Sequence, residues 1–285
     1  MAECRVCFRH CELREGQTGA CGARTGKGGG TVPRWYGRIS SLALDPIEKK
    51  PLYHFHPGKM ILSLGSLGCN LRCPFCQNHR IAREEEDGFH AAVKEITPAE
   101  IAEIARNTRR SGNIGAAYTY NEPLVGYEFV RDTAKLIHDQ GMLNVLVTNG
   151  TASHEILEEV ILYTDAMNID LKGFTDRYYS GVLGGSLQMT MDFIREAVKR
   201  CHVELTTLIV PGENDTEKEM LELSAWIAGL REVYGGKTGR DIPLHVSRFF
   251  PRFRMQDRGA TDPGIVYSLV RKAKEHLRYV YPGNC

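Results

Sequence analysis

Met60-Ile61-Leu62-Ser63-Leu64-Gly65-Ser66-Leu67-Gly68-Cys69-Asn70-Leu71-Arg72-Cys73-Pro74-Phe75-Cys76 is the stretch on which the fold turns. Its apolar half, 60–67, reads as a strand. The loop that leaves it carries three thiols, Cys69, Cys73 and Cys76, with three and then two residues between them. Three thiolates are one short of a fully ligated 4Fe–4S cube, so a cube held here keeps one iron open to another ligand. The competing reading is a zinc site in which the three cysteines borrow a histidine such as His79, or a set of buried free thiols.

Downstream, apolar runs alternate with helical periodicity. Thr97-Pro98-Ala99-Glu100 is a helix start, with a capping Thr, Pro at the first helical position and Glu three residues after the cap. Helices are expected at 97–110, 124–139, 153–163, 189–199, 216–233 and 262–277. Strands are expected at 60–67, 116–120, 143–148, 167–171, 203–210 and 244–249. Six such units imply a parallel sheet and an α/β fold, a partial (β/α)6 TIM-like barrel. In a barrel the site forms at the C-terminal ends of the strands, so the polar residues just after each apolar run become the candidates.

The Cys-x3-Cys-x-aromatic-Cys pattern of Cys69, Cys73, Phe75 and Cys76 resembles that of the radical S-adenosylmethionine (SAM) superfamily. The resemblance implies a 4Fe–4S cluster whose open iron chelates SAM, and reductive cleavage of SAM to a 5'-deoxyadenosyl radical. It also implies that Phe75 lies near the adenine. After the second strand, Tyr118-Thr119-Tyr120-Asn121-Glu122-Pro123 keeps the Glu-Pro of the superfamily's Gly-Gly-Glu-Pro but replaces both glycines with Tyr120 and Asn121. Tyr120, Asn121 and Glu122 are therefore candidate SAM contacts of altered form; the same residues would also cap a turn. Asn149 sits in a Thr-Asn-Gly that resembles the superfamily's at the end of the third strand.

Asp170 and Lys172 follow the fourth strand and point to one side, because strand side chains alternate. They are the candidate catalytic pair and candidate cofactor contacts, and Asp-Leu-Lys also occurs in the glycyl-radical-enzyme activases. Otherwise they form an ion pair across the barrel mouth. Asp215 reads as a helix cap and His245 as a core histidine. The run from Arg248 to Arg254 joins cations with aromatics, suited to an anionic or peptide substrate, to a nucleobase, or to a solvated loop.

The first 33 residues are expected to form a small metal-binding module and linker, with residues 34–285 forming the barrel. Cys4, Cys7, Cys11 and Cys21 supply four soft ligands, enough for zinc or for a fully ligated iron–sulfur cluster. The run Gly26-Lys27-Gly28-Gly29-Gly30 reads as a flexible linker, and 34–58 as an extended connection. Seven of the nine cysteines lie in two clusters, which favours metal over disulfides. No apolar h-region opens the chain, so a cytoplasmic protein is expected, without a membrane partner. A net charge of +1 makes no case for nucleic acid.

Taken with the stretch from Ile39 to Phe55, the four N-terminal cysteines, Gln77-Asn78 after the cysteine loop and 118–123, the chain resembles the AmmeMemoRadiSam system radical SAM enzymes, relatives of the pyruvate formate-lyase activating enzymes. The resemblance implies a reductant such as flavodoxin or ferredoxin, and Memo-like and AMMECR-type partners. The expected function is hydrogen abstraction from an unidentified protein or small-molecule substrate, with glycyl-radical-enzyme activation as its narrower form. A reading of another class is an iron–sulfur or zinc binding module, binding RNA through the run from Arg248 to Arg254, without SAM chemistry.

Overall fold

A computed structural model describes residues 1–83 and 91–285. Its main sheet has eight strands that lie side by side in chain order. They are β1 (Ser41–Pro46), β2 (Met60–Gly65), β3 (Asn113–Tyr118), β4 (Leu143–Thr148), β5 (Ala166–Asp170), β6 (His202–Ile209), β7 (Leu244–Arg248) and β8 (Val280–Gly283). From β2 onward every pairing is parallel, and β1 runs antiparallel along the edge. Among the described residues β1 and β8 do not pair, so the sheet curls into an open, partial barrel.

All six strands expected from periodicity are present, and the structure adds β1 and β8. Neither carries a strong apolar signal. Leu42 of β1 is left partly exposed, and Pro282 interrupts β8, which edge strands tolerate.

Six helices cover the outer face: α1 (Pro98–Asn107), α2 (Tyr127–Asp139), α3 (His154–Ile161), α4 (Leu187–Arg200), α5 (Glu217–Ala228) and α6 (Pro263–Ala273). The cap of α1 forms as its sequence dictates: Glu100 N–H donates to Thr97 Oγ1, and Thr97 N–H to the Glu100 carboxylate. Helix α2 starts later than expected because Pro123–Gly126 takes a 3-10 turn. Helix α5 stops at Ala228, since Gly229 and the turn at Tyr234–Gly236 follow. Ile101, Ile137, Leu157, Ile194, Leu223 and Leu269 bury their side chains against the strands, each contributing roughly 1.5–3 kcal/mol relative to exposure. No helix of the described residues is long and apolar enough to cross a membrane.

The barrel interior is divided. On one side Ile61, Ala117, Val145 and Ala166 meet Ile47 and Leu52, so the stretch expected to be an extended connection plugs the floor of the barrel. On the other side the floor is polar. The Glu204 carboxylate accepts from Tyr53 N–H (3.0 Å), His54 N–H (2.7 Å), His202 Nε2 (3.0 Å) and His245 Nε2 (2.7 Å). His245 is thus a buried structural histidine.

The expected flexible linker is a hairpin instead. Arg24–Lys27 pairs with Gly30–Pro33, and Gly28 and Gly29 make the turn with φ of 59° and 77°. Two successive positive φ angles are what a two-residue hairpin of this hand requires, and glycine adopts them freely. The N-terminal segment is fastened to the barrel by the buried Arg24 guanidinium on Glu128 (2.6 Å) and by Ser153 N–H donating to the Val6 carbonyl (2.8 Å).

Candidate active site at the C-terminal ends of the strands

The cysteine loop crosses the open end of the barrel and is held by backbone bonds on several sides. Arg72 N–H donates to the Leu183 carbonyl (2.6 Å), and Arg254 N–H to the Pro74 carbonyl (2.9 Å). The Arg83 guanidinium caps the Leu71 carbonyl. Part of the arginine- and aromatic-rich run is therefore spent on this loop: Phe253 stacks on His79 at 4.5 Å, and Phe249 meets Phe75 edge-on at 6.2 Å. Asp215 accepts from Gly212 N–H (2.9 Å) as a turn residue, and the helix cap expected of it falls instead to Thr216, whose hydroxyl accepts from Glu219 N–H (3.3 Å).

A cleft of about 380 Å³ opens beside the loop. Cys69, Cys73, Cys76 and Phe75 form one wall. Tyr120, Asn121, Glu122, Asn149, Asp170 and Lys172, from the ends of β3, β4 and β5, line the cleft as well. The candidate cluster and SAM residues from 69 to 172 thus come to one cavity from loops far apart in the chain, whereas His79 does not line it.

Burial pushes the Cys73 thiol up to about 11, and the Cys69 and Cys76 thiols upward as well. Thiols in such surroundings ionise when a metal supplies the compensating charge. Among the described residues no three Cys, His, Asp or Glu side chains converge as the ligands of a single ion do. A cube takes each thiolate on a different iron, so three thiols spread along one wall match its donor set.

Glu122 is buried and fully engaged. Oε1 accepts from Thr148 Oγ1 (2.8 Å) and Leu124 N–H (3.1 Å), and Oε2 from Asn149 N–H (2.7 Å). Burial pushes its carboxyl up to about 7 in spite of these bonds. Asn149 Nδ2 donates to Asn70 Oδ1 (2.9 Å) and faces Cys69 Sγ at 3.7 Å. Asp170 and Lys172 form an ion pair of 2.8 Å. Burial alone would lower the Lys172 ammonium, but the Asp170 carboxylate and the Cys73 thiol beside it raise it, so it stays charged.

The two residues that replace glycines are accommodated differently. Asn121 turns to the backbone, accepting from Ser66 N–H (3.0 Å) and donating to the Gly68 carbonyl (3.1 Å). Tyr120 occupies the left-handed region at φ 73°, a conformation costly for a residue with a Cβ. Its hydroxyl donates to Asp45 (2.8 Å), which also pairs with Lys50 (2.9 Å). Lys49 and Lys50 line the cleft and escaped the motif reading, as did Thr206, Ser247 and Asn284. Thr206 lies within β6, Ser247 within β7 and Asn284 just after β8, and none of them stands in a motif.

The four N-terminal thiols share a pocket of about 10 Å³ with Arg9 and Arg24, and burial pushes the Cys21 thiol up to about 11.

A partial parallel barrel with three thiols on the loop after its first parallel strand, facing a polar cleft, defines a class of cofactor-dependent α/β-barrel enzymes. Residues 64–224, more than half of the chain, match the Radical SAM superfamily model, and the chain belongs to that superfamily. Membership implies a 4Fe–4S cluster and SAM.

An uncharacterised protein, MJ0808, of Methanocaldococcus jannaschii is 40% identical over 99% of this chain and 80% of its own length. The pyruvate formate-lyase 1-activating enzyme of Escherichia coli is 28% identical over 53% of the chain and 61% of its own, so the chain spans about three-fifths of that relative. In structure, a domain of a pyruvate-formate lyase-activating enzyme from Bacteroides vulgatus superposes with a TM-score of 0.51 at 16% identity, covering 60% of this chain and 99% of that one. SuiB of Streptococcus suis, solved bound to S-adenosylmethionine, gives 0.57 at 12% identity, covering 79% and 52%. These two superpositions are likenesses of fold.

Proposed function

We propose that this protein is a radical SAM enzyme in which Cys69, Cys73 and Cys76 hold the 4Fe–4S cluster and the cleft beside them receives SAM. The observation that carries the reading is the shared cleft: three thiols and an aromatic from the cysteine loop, and a half-buried ion pair from the end of β5, line it together. When bound, the cluster and SAM supply reductive cleavage to a 5'-deoxyadenosyl radical, which abstracts hydrogen from a carbon of a protein or small-molecule substrate.

The chain's own residues prepare that chemistry. Phe75 offers an apolar face for the adenine. Lys172, kept cationic by Asp170, is a donor for a carboxylate, and Asp170 an acceptor for ribose hydroxyls. Glu122 gathers Thr148, Asn149 and Leu124 and so holds the floor of the SAM site in shape. The narrower form, activation of a glycyl radical enzyme, is favoured by the likeness to pyruvate formate-lyase activating enzymes. A reductant such as flavodoxin or ferredoxin completes the reaction, and Memo-like and AMMECR-type proteins are the proposed partners within an AmmeMemoRadiSam system. Cys4, Cys7, Cys11 and Cys21 are the proposed second metal site, zinc or iron–sulfur; their common pocket supports it, and since no three of these thiols converge as ligands of one ion, the iron–sulfur form is the better match.

Anaerobic reconstitution with iron and sulfide, followed by reductant and SAM, is expected to release 5'-deoxyadenosine. Its absence from fully loaded protein overturns the reading. Cys73→Ala is expected to abolish the product while metal bound at the N-terminal cysteines remains.

A further inference from the structure

The N-terminal segment and the cysteine loop meet at their backbones. Cys69 N–H donates to the Cys21 carbonyl (3.1 Å). The approach is so close that only glycine fits at the preceding residue. A Cβ on Gly68 would lie 2.6 Å from the Cys21 carbonyl oxygen and 2.8 Å from Ala23 Cβ, and φ there is 92°.

On the other side of Cys69, Arg9 reaches out of the four-thiol pocket that it lines. Its Nε donates to the Asn70 carbonyl (2.7 Å) and its Nη2 to the Gly184 carbonyl (2.8 Å). Asn70 in turn donates to Thr151 Oγ1 (2.8 Å) and accepts from Asn149, the residue whose amide faces Cys69 Sγ. The backbone on both sides of Cys69 is thus pinned by residues adjoining N-terminal thiols: Cys21 itself, and Arg9 two positions beyond Cys7.

We propose that Arg9 is a positioning residue through which the four-cysteine segment holds the Cys69 loop against the 184–185 turn, setting the orientation of the Cys69 thiolate toward the open-iron cluster. The inference rests on the radical SAM reading of the cleft. A guanidinium suits the task because its rigid fork can serve two carbonyls at once, whereas an ammonium on a flexible stem aims less firmly at both. Orientation matters because the electronic properties of an iron–sulfur cluster respond to the hydrogen bonds and geometry around its sulfurs.

The test compares the unaltered chain with Arg9→Ala and Arg9→Lys, each reconstituted with iron and sulfide, reduced, and measured by electron paramagnetic resonance with and without SAM. Circular dichroism checks that each is folded. The unaltered chain is expected to give a cluster signal that SAM shifts. Arg9→Ala is expected to lose most of that SAM-shifted signal or to move it, with Arg9→Lys falling between the two. A signal in Arg9→Ala indistinguishable from that of the unaltered chain overturns the inference. Should Arg9→Ala not fold, the same comparison is made with Arg9→Lys, and identity with the unaltered chain again overturns it. Failure of the underlying reading looks different: the unaltered chain itself then shows no SAM-shifted signal, and both fall together.

Discussion

Glu204 on the barrel floor makes the fold sensitive to acid in a defined window. Burial by itself would raise this carboxyl, but the hydrogen bonds from His202, His245 and the Tyr53 and His54 amides outweigh it and pull the group down to about 2, from an ordinary 4.5. A carboxylate depressed on folding contributes stability above its unfolded pKa, and loses it as pH falls through the folded one. A difference of about 2.5 units corresponds to about 3.4 kcal/mol at neutral pH, of which about 2 kcal/mol disappears between pH 5 and pH 3. Glu204→Gln removes the titrating group while keeping its volume.

Urea denaturation of both proteins at pH 6, 5, 4 and 3 is the assay. The variant is expected to be less stable at pH 6, and the gap should narrow by about 2 kcal/mol between pH 5 and pH 3. A gap that stays constant with pH would show that the floor is held by something other than the ionised carboxylate, and would refute the reasoning.

Lys172→Ala strands the Asp170 carboxylate in the cleft and removes a charged donor. Equilibrium dialysis is expected to show SAM bound roughly ten- to a hundredfold more weakly, the equivalent of about 1.5–3 kcal/mol for a charge-assisted bond. Arg24→Ala removes the partner of Glu128 in a pair whose arginine is almost completely buried; a loss of about 3–5 kcal/mol is expected. Limited proteolysis should then cut the N-terminal segment well before the barrel, and equal resistance to the unaltered chain would contradict the fastening described above.

The site was legible wherever chemistry imposes a spacing. Cys69, Cys73, Phe75 and Cys76 stand in a local pattern, and Glu122, Asn149, Asp170 and Lys172 follow strands whose apolar runs are plain. Lys49 and Lys50 were not legible as site residues, because their stretch has neither helical nor strand periodicity. They reach the cleft because β1 pairs antiparallel with β2 and Lys50 folds back onto Asp45 beneath Tyr120. The glycine-rich run misled for a related reason: composition reports flexibility, whereas pairing of Arg24–Lys27 with Gly30–Pro33 turns the same residues into a fixed hairpin.

The alternation of strands and helices, the thiol loop and its position after the first parallel strand are written in the order of residues, since burial periodicity and ligand spacing are local properties. Closure of the floor by Ile47, Leu52 and the Glu204 cluster, and the grip of Cys21 and Arg9 on the backbone around Cys69, emerge only once the chain is folded. The contacts of Cys69 with Cys21 and of Asn70 with Arg9 join residues 48 and 61 positions apart; they depend on how the sheet curls, and no short stretch of chain encodes that curvature.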